Sequence, residues 1–347
     1  MSRVNLHPLE ASSIAETSVE YQRKQWNALK NEINRLVNEA NQTNICSILK
    51  QLFKQNIVHG TGLFTRSVIK AQAALPGHTS VYAALVSVIN LWIEPVGILI
   101  GQRLISSFRR QYKSNEIAKC LSTIKFVAHL VNQNVLHEII ALQLLLFLLH
   151  NPSDDDVELA IEFVKECGQK LSQVNPRGLN SIFSTFKDLL KISSNERTQN
   201  MIEALFVLQK DKFKENPAIS TGLNFVHENY QCTHMIPLEC GEPVPFLAAF
   251  TYDPKYKEHE EQYKVIQKLF FQNCSDDEKY EEKYNVTRKI FFQKSSDDEN
   301  ESSSMDTNDE NKSNLLDMDD EDDGKKAVGA IPCGIKNVKH DEPIVTN

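Results

Sequence analysis

Apolar residues recur at three- and four-residue steps along most of the chain up to Lys212, the spacing that places them on one face of an α-helix. The pattern is densest from Glu116 to Leu190, where Leu121, Ile124, Val127, Ala128 and Val131 trace one stripe. Polar punctuation divides this stretch into four helices. Asn132-Gln133-Asn134 breaks the first pair, Asn151-Pro152-Ser153 ends the second helix and caps the third, and Asn175-Pro176 opens the fourth with proline in its first turn. Ser153 followed by Asp154, Asp155 and Asp156 puts acids at the positive end of a helix dipole. Connections this short make successive helices antiparallel neighbours.

The same reading extends in both directions. Val19 to Asn41 carries a stripe of Tyr21, Trp26, Leu29, Ile33, Leu36 and Val37, and a second helix covers Cys46 to Gln55. Thr61 or Gly62 begins a helix that Pro76-Gly77 ends after Leu75. Ser80 to Leu91, Glu94 to Tyr112 with Pro95 in its first turn, and Asn195 to Lys212 complete the set. The fold class this predicts is all-α, a HEAT-like helical solenoid of about five antiparallel pairs, each of roughly 35 to 45 residues. Residues 1–18 read as a flexible arm, 19–213 as the helical-repeat domain, and 214–252 as an extended segment packing on it. The prolines at Pro237, Pro243 and Pro245 disfavour helix there, and the segment is expected to cross the last repeats.

A second periodicity lies beyond Tyr252. EEQYKVIQKLFFQNCSDDE at Glu260 to Glu278 is echoed by EEKYNVTRKIFFQKSSDDE at Glu281 to Glu299, with an offset of 21 throughout. Residues 253–299 therefore read as a duplicated short amphipathic helix with an acidic end, too small to be a solenoid unit. Charge explains the rest of the C-terminal region. From Asn273 to Asp323 there are 18 acids against 6 bases, a local balance of −12 within a net charge of −8, so the remainder sums to +4. The folded part is near neutral, and residues 300–347 read as a disordered acidic tail. Ser275 and Ser296 each precede Asp-Asp-Glu and are expected phosphorylation sites.

Candidate chemistry changes little. The longest apolar run, Ile139 to Leu149, is interrupted by Gln143 and falls short of the roughly 18 or more residues a bilayer span needs, so it reads as a core helix and no membrane contact is expected. No apolar stretch follows a basic start at the N-terminus, so no secretory signal is expected. Seven cysteines without paired spacing read as free thiols. His59-Gly60-Thr61-Gly62 lacks the third glycine and the Gly-Lys-Ser/Thr of a phosphate loop and reads as a helix junction. His129 and His137 lack metal-ligand spacing, and Cys167 sits in an apolar helix as a packing thiol. No enzyme, cofactor or metal site is predicted. Arg103, Arg109, Arg110 and Lys113 form the clearest basic cluster and are candidate RNA phosphate contacts. The competing reading is that these cations complement a helix C-terminus.

The residues that carry a family resemblance are now all placed. WNALKNEINRLVNEAN at Trp26 to Asn41, QNIVHGTGLFTRSVIKAQAALP at Gln55 to Pro76, VYAALVSVIN at Val81 to Asn90, KFVAHLVNQNVLHE at Lys125 to Glu138, KECGQKLSQVNPRGLN at Lys165 to Asn180 and THMIPLE at Thr233 to Glu239 closely resemble the nucampholin-type pre-mRNA-splicing factors. These belong to the superfamily of the middle domain of eukaryotic initiation factor 4G. The resemblance covers about Val19 to Lys268. It implies a monomeric nuclear scaffold of the spliceosome that grips the DEAD-box ATPase of the exon junction complex and supports splicing and junction-complex deposition. A translation- or mRNA-decay-type scaffold of the same superfamily, binding another DEAD-box helicase, and an RNA-binding helical module are the alternatives.

The resemblance also implies where the ATPase would sit. Family members carry a glycine and then an Asn-Lys pair on the first helix, and the matching positions are Arg35, Asn38 and Glu39. The chain departs from the pattern at two of these three. The family's second helical domain and serine/arginine-rich end have no counterpart in the sequence.

Overall fold

The computed structural model describes residues 18–239 and 249–271. Residues 1–17 of the N-terminal arm, 240–248 of the expected extended segment with Pro243 and Pro245, the second copy of the repeat, the acidic tail, Ser275 and Ser296 lie outside the described residues. Ten helices make up the array: α1 (Val19–Glu39), α2 (Ile45–Leu52), α3 (Thr61–Ala74), α4 (Thr79–Trp92), α5 (Pro95–Lys113), α6 (Ile117–Asn132), α7 (Glu138–Leu148), α8 (Asp154–Val174), α9 (Pro176–Ile192) and α10 (Glu196–Lys210). A further helix, α11 (Tyr256–Phe271), follows after a long non-helical stretch. Alternate helices stack side by side. α1, α3 and α5 adjoin one another in one layer, with α7 beside α9, while α2, α4, α6, α8 and α10 run as a continuous second layer. This is the expected all-α array of five helix pairs.

Local chemistry sets the helix ends. α8 starts at a capping box, in which Ser153 Oγ accepts from the Asp156 amide and Asp156 Oδ2 accepts from the Ser153 amide at 2.9 Å. Asn175 caps α9 through its bond from the Gly178 amide at 3.0 Å, with Pro176 next in the chain. Asn115, Asn134 and Asn151, which follow α5, α6 and α7, adopt left-handed backbone with φ of 55°. Asparagine tolerates that region, and after α6 the Asn134 amide donates to Val131 and the Val135 amide to Leu130, a Schellman closure. The same closure follows α10 at Lys212 and Phe213, where the sequence offers no asparagine or glycine.

The core is continuous through both layers. α4 is buried along nearly its whole length, from Val81 to Trp92, which explains why it carries almost no polar face. Among the described residues no single helix is long and apolar enough to cross a membrane.

Two segments after α10 tie the array together. The first is a strap at Cys232–Ile236, which crosses the joint of α4, α5, α6 and α7 rather than the last repeats as expected. Main-chain bonds fix it there: the His234 amide donates to Val135 O at 2.9 Å, and the His137 amide donates to His234 O at 3.0 Å. These groups are left over by the turn between α6 and α7, so the strap goes where unpaired backbone waits for it. α5 accommodates the crossing with two glycines. A Cβ on Gly97 would lie 2.5 Å from His234 Cδ2, and one on Gly101 would lie 2.2 Å from Ile236 Cδ1.

The second tie is α11, which returns to the first pair. Phe53, the residue that closes α2, presents a carbonyl that accepts from both Tyr263 Oη and Gln267 Nε2 at 3.1 Å. Its ring stacks on Phe270 with centroids 3.8 Å apart. Ile266 is fully buried beneath. Gln22 on α1 exchanges two bonds of 2.9 Å with the backbone of Asp253, just before α11.

Candidate partner-binding site

α1 forms because Ser18 caps it, accepting from the Tyr21 amide at 3.2 Å, and because Trp26, Ile33, Leu36 and Val37 supply a buried stripe. Helical spacing then puts Arg35, Asn38 and Glu39 on the opposite, exposed face. The end of the helix is held in place beside them. Asn44 Nδ2 donates to the Glu39 carbonyl at 2.8 Å, and Asn41 Oδ1 accepts from the Thr43 and Asn44 amides.

The three residues do not present three independent groups. Arg35 bonds Glu32 through two nitrogens, at 2.7 and 3.0 Å, and Glu39 through Nη1 at 2.7 Å. The hydrogen bond donated to Glu32, then that to Glu39, raises the Arg35 guanidinium above its already high ordinary value, and Arg35 in turn lowers Glu32. Glu39 therefore meets a partner as half of an ion pair. The Arg35 side chain fills the volume that a glycine would leave open. Glu32 also borders a recess of about 380 Å³ shared with Trp26, Lys54, His59, Tyr256 and Glu260.

The basic cluster of α5 separates. Arg103 Nη1 donates to Gly62 O at 2.8 Å and to Thr65 Oγ1 at 2.6 Å, which makes it a pin between α5 and α3. Burial, and then the nearby Arg66, lowers its pKa. Arg109, Arg110 and Lys113 stay exposed at the end of the helix.

Two clusters have no signal in the sequence. Lys125 on α6 meets Glu162 at 3.0 Å and Glu166 at 3.3 Å on α8, with His129 3.2 Å from Glu166 and Lys165 2.6 Å from Glu162. This network braces two packed helices. The other brings potential ligand atoms of Glu94, Cys232 and His234 within 4.8 Å of one another. A cation there would compete with an existing bond. Asn90 Nδ2 donates to the Cys232 carbonyl at 2.7 Å, which turns its Oδ1 toward His234 Nε2, also at 2.7 Å, so that ring nitrogen carries the proton and donates. The thiol lies 3.9 Å from the same nitrogen. The arrangement is a staple for the strap, drawn from positions far apart in the chain. Cys167, as expected, is a packing thiol: it is fully buried, donates to Phe163 O at 3.2 Å, and burial pushes its pKa up.

The staple has a pH dependence. Burial pushes His234 down to about 4 from the ordinary 6.5. A released strap takes up a proton below about 6.5 while the closed strap stays neutral, so closure is fully favoured above that pH and weakens as pH falls toward 4. Hydrogen exchange at the His234 amide will accelerate, relative to the intrinsic rate, between pH 6.5 and 4, and His234→Gln will flatten that profile. An unchanged profile in the variant would show that the histidine does not set it.

The geometry thus offers an exposed helix face, an exposed basic end, a pin and braces, with no constellation of nucleophile, base and oxyanion donors among the described residues. The MIF4G domain model matches residues 30–212. The pre-mRNA-splicing factor CWC22 homolog of Mus musculus is 48% identical over 264 residues, 76% of this chain and 29% of that protein. Its Homo sapiens counterpart is 49% identical over 255 residues, 73% of this chain and 28% of the relative. Pre-mRNA-splicing factor cwc22 of Emericella nidulans is 44% identical over 275 residues, 79% of this chain and 32% of the relative. The chain spans about a third or less of the length of these curated relatives. With the array of helix pairs spanning the matched residues, the chain belongs to the MIF4G domain family and is similar to the CWC22 pre-mRNA-splicing factors.

Proposed function

We propose that this chain is a non-enzymatic scaffold of the spliceosome, acting in the nucleus as a monomer, and that the α1 face around Arg35, Asn38 and Glu39 seats the DEAD-box ATPase of the exon junction complex. The observation that carries the reading is the 48% identity to a pre-mRNA-splicing factor over 264 residues. A helical array suits the role, because stacked pairs give an extended rigid surface on which sites can be placed without any catalytic group. Pull-down from nuclear extract tests it. Recovery of spliceosomal proteins together with the ATPase supports the proposal. Recovery of translation factors alone overturns it in favour of the translation-type scaffold.

Direct RNA contact is a second reading, favoured only by the exposure of Arg109, Arg110 and Lys113. With Arg103 committed to α3, at most three of the four cations can meet phosphates, so the log–log salt slope of binding to single-stranded RNA is expected to be no steeper than about −2. Filter binding of the natural protein and of the Arg109→Ala, Arg110→Ala, Lys113→Ala triple variant measures it. Equal retention by both, or none by either at low salt, removes these residues as an RNA site.

A further inference from the structure

The duplicated sequence and the surface that receives its first copy bear on one another. α11 contains the first copy's helical part, and its last turn meets a surface that already accepts phenylalanine: Phe270 stacks on Phe53 and meets Trp92 edge to face with centroids 5.8 Å apart. Beyond Phe270 that surface continues as a groove of about 380 Å³, lined mainly by Val88, Leu91, Trp92, Phe225 and Tyr230, with the exposed Lys50 at its rim. We propose that this groove is the seat of the second copy's aromatic pair, Phe291-Phe292, so that both copies of the repeat hold one apolar surface of the same chain.

The differences between the copies choose the groove over the seat of α11. The offset of 21 matches Phe270-Phe271 to Phe291-Phe292 and Leu269 to Ile290, so the apolar end is retained. It matches Ile266 to Thr287 and Gln267 to Arg288. Ile266 is the fully buried floor of the α11 contact, and a threonine there would bury a hydroxyl where a methyl and a methylene pack. Nor does the second copy repeat the anchors before the first, since Asp253 and Tyr256 fall opposite Cys274 and Asp277. The second copy has kept the part that fits an apolar groove and lost the part that fits the α11 seat.

The tether agrees with this assignment. Only the residues from Gln272 to Ile290 separate Phe271, at the end of α11, from Phe291. A tether this short holds the pair at an effective concentration of roughly millimolar, so a contact too weak to form between separate molecules forms within one.

The test uses the full chain with a benzophenone amino acid in place of Phe291. Irradiation is expected to join it, within one molecule, to the segments containing Val88–Trp92 or Phe225–Tyr230. Independently, Phe291→Ala with Phe292→Ala is expected to red-shift tryptophan emission and speed its quenching by acrylamide, because Trp92 loses cover while Trp26, the other tryptophan, lies elsewhere. Cross-links confined to Phe53, with none to the groove residues, would mean that the second copy displaces the first, cross-links between molecules would mean a swapped dimer, and unchanged emission without cross-links would mean no contact. Each of these three outcomes overturns the proposal.

Discussion

Gly97→Ala will destabilise the protein by about 3 kcal/mol, lowering the midpoint of thermal unfolding by roughly 6–12 °C. Helix propensity alone predicts the reverse, since alanine is better than glycine in a helix interior by about 1 kcal/mol. Packing decides the sign. The added Cβ would sit 2.1 Å from Asn90 Oδ1 and 2.6 Å from His234 Nε2, so either α5 or the strap must move. α5 is buried between α3, α4 and α6, and the strap yields more easily. Its displacement breaks the His234–Asn90 and Asn90–Cys232 hydrogen bonds and leaves a buried amide without its partners. Gly77→Ala is the control, because a Cβ there meets no atom within 4 Å. Circular dichroism melts of the two variants decide the matter, and a Gly97→Ala protein as stable as Gly77→Ala would show that the strap does not depend on this close approach.

The second large effect is on ATPase binding, and the ion pair on α1 sets its direction. If the partner surface is shaped for glycine and lysine at these positions, Arg35→Gly with Glu39→Lys will tighten binding roughly ten- to a thousandfold, corresponding to about 1.4 to 4 kcal/mol. The single changes should not share that gain. Arg35→Gly alone strips Glu39 of the bond that neutralises it and exposes a bare carboxylate, so it should bind more weakly than the natural chain. Glu39→Lys alone sets a lysine beside Arg35, which still keeps Glu32, and should fall between. Titration calorimetry of the four proteins against the purified ATPase gives the order. Four equal affinities would place the contact elsewhere or point to a different partner.

Most of the array could be read in advance because local rules coincide with the fold there. Apolar spacing, Ser153 with its acids, the helix-opening prolines and the left-handed asparagines all speak within one helical turn, and each marks a boundary the structure keeps. The ends of α10 and the strap were harder for the same reason. Lys212 and Phe213 both adopt left-handed backbone as Phe213 is buried against Phe183 and Gly168, a tertiary contact. Thr233 to Pro237 reads as extended, but its destination depends on amides and carbonyls left over between α6 and α7, which no local pattern announces. At the candidate site, the family resemblance located Arg35, Asn38 and Glu39. Spacing along α1 did not reveal the pairing of Arg35 with Glu32 and Glu39, although their separations of three and four residues permit it. The basic cluster shows the limit of proximity in sequence: Arg103 resembles its neighbours in type and serves another purpose.

The return of α11 to the first pair has a consequence for synthesis on the ribosome. The pairs of a solenoid can consolidate in the order in which they emerge, each on the one before. Here Phe53 and Trp92, made early, wait for Tyr263, Ile266 and Phe270, made late. At about 5–20 residues per second, the apolar surface of the first pair stays open to the solvent for roughly 10 to 40 seconds before its own cover is translated. A nascent chain of this kind is a client for chaperones that shield exposed aromatic surface. Ribosome stalling between α10 and α11 would hold it in that state, with its helical array complete and its first-made surface still uncovered.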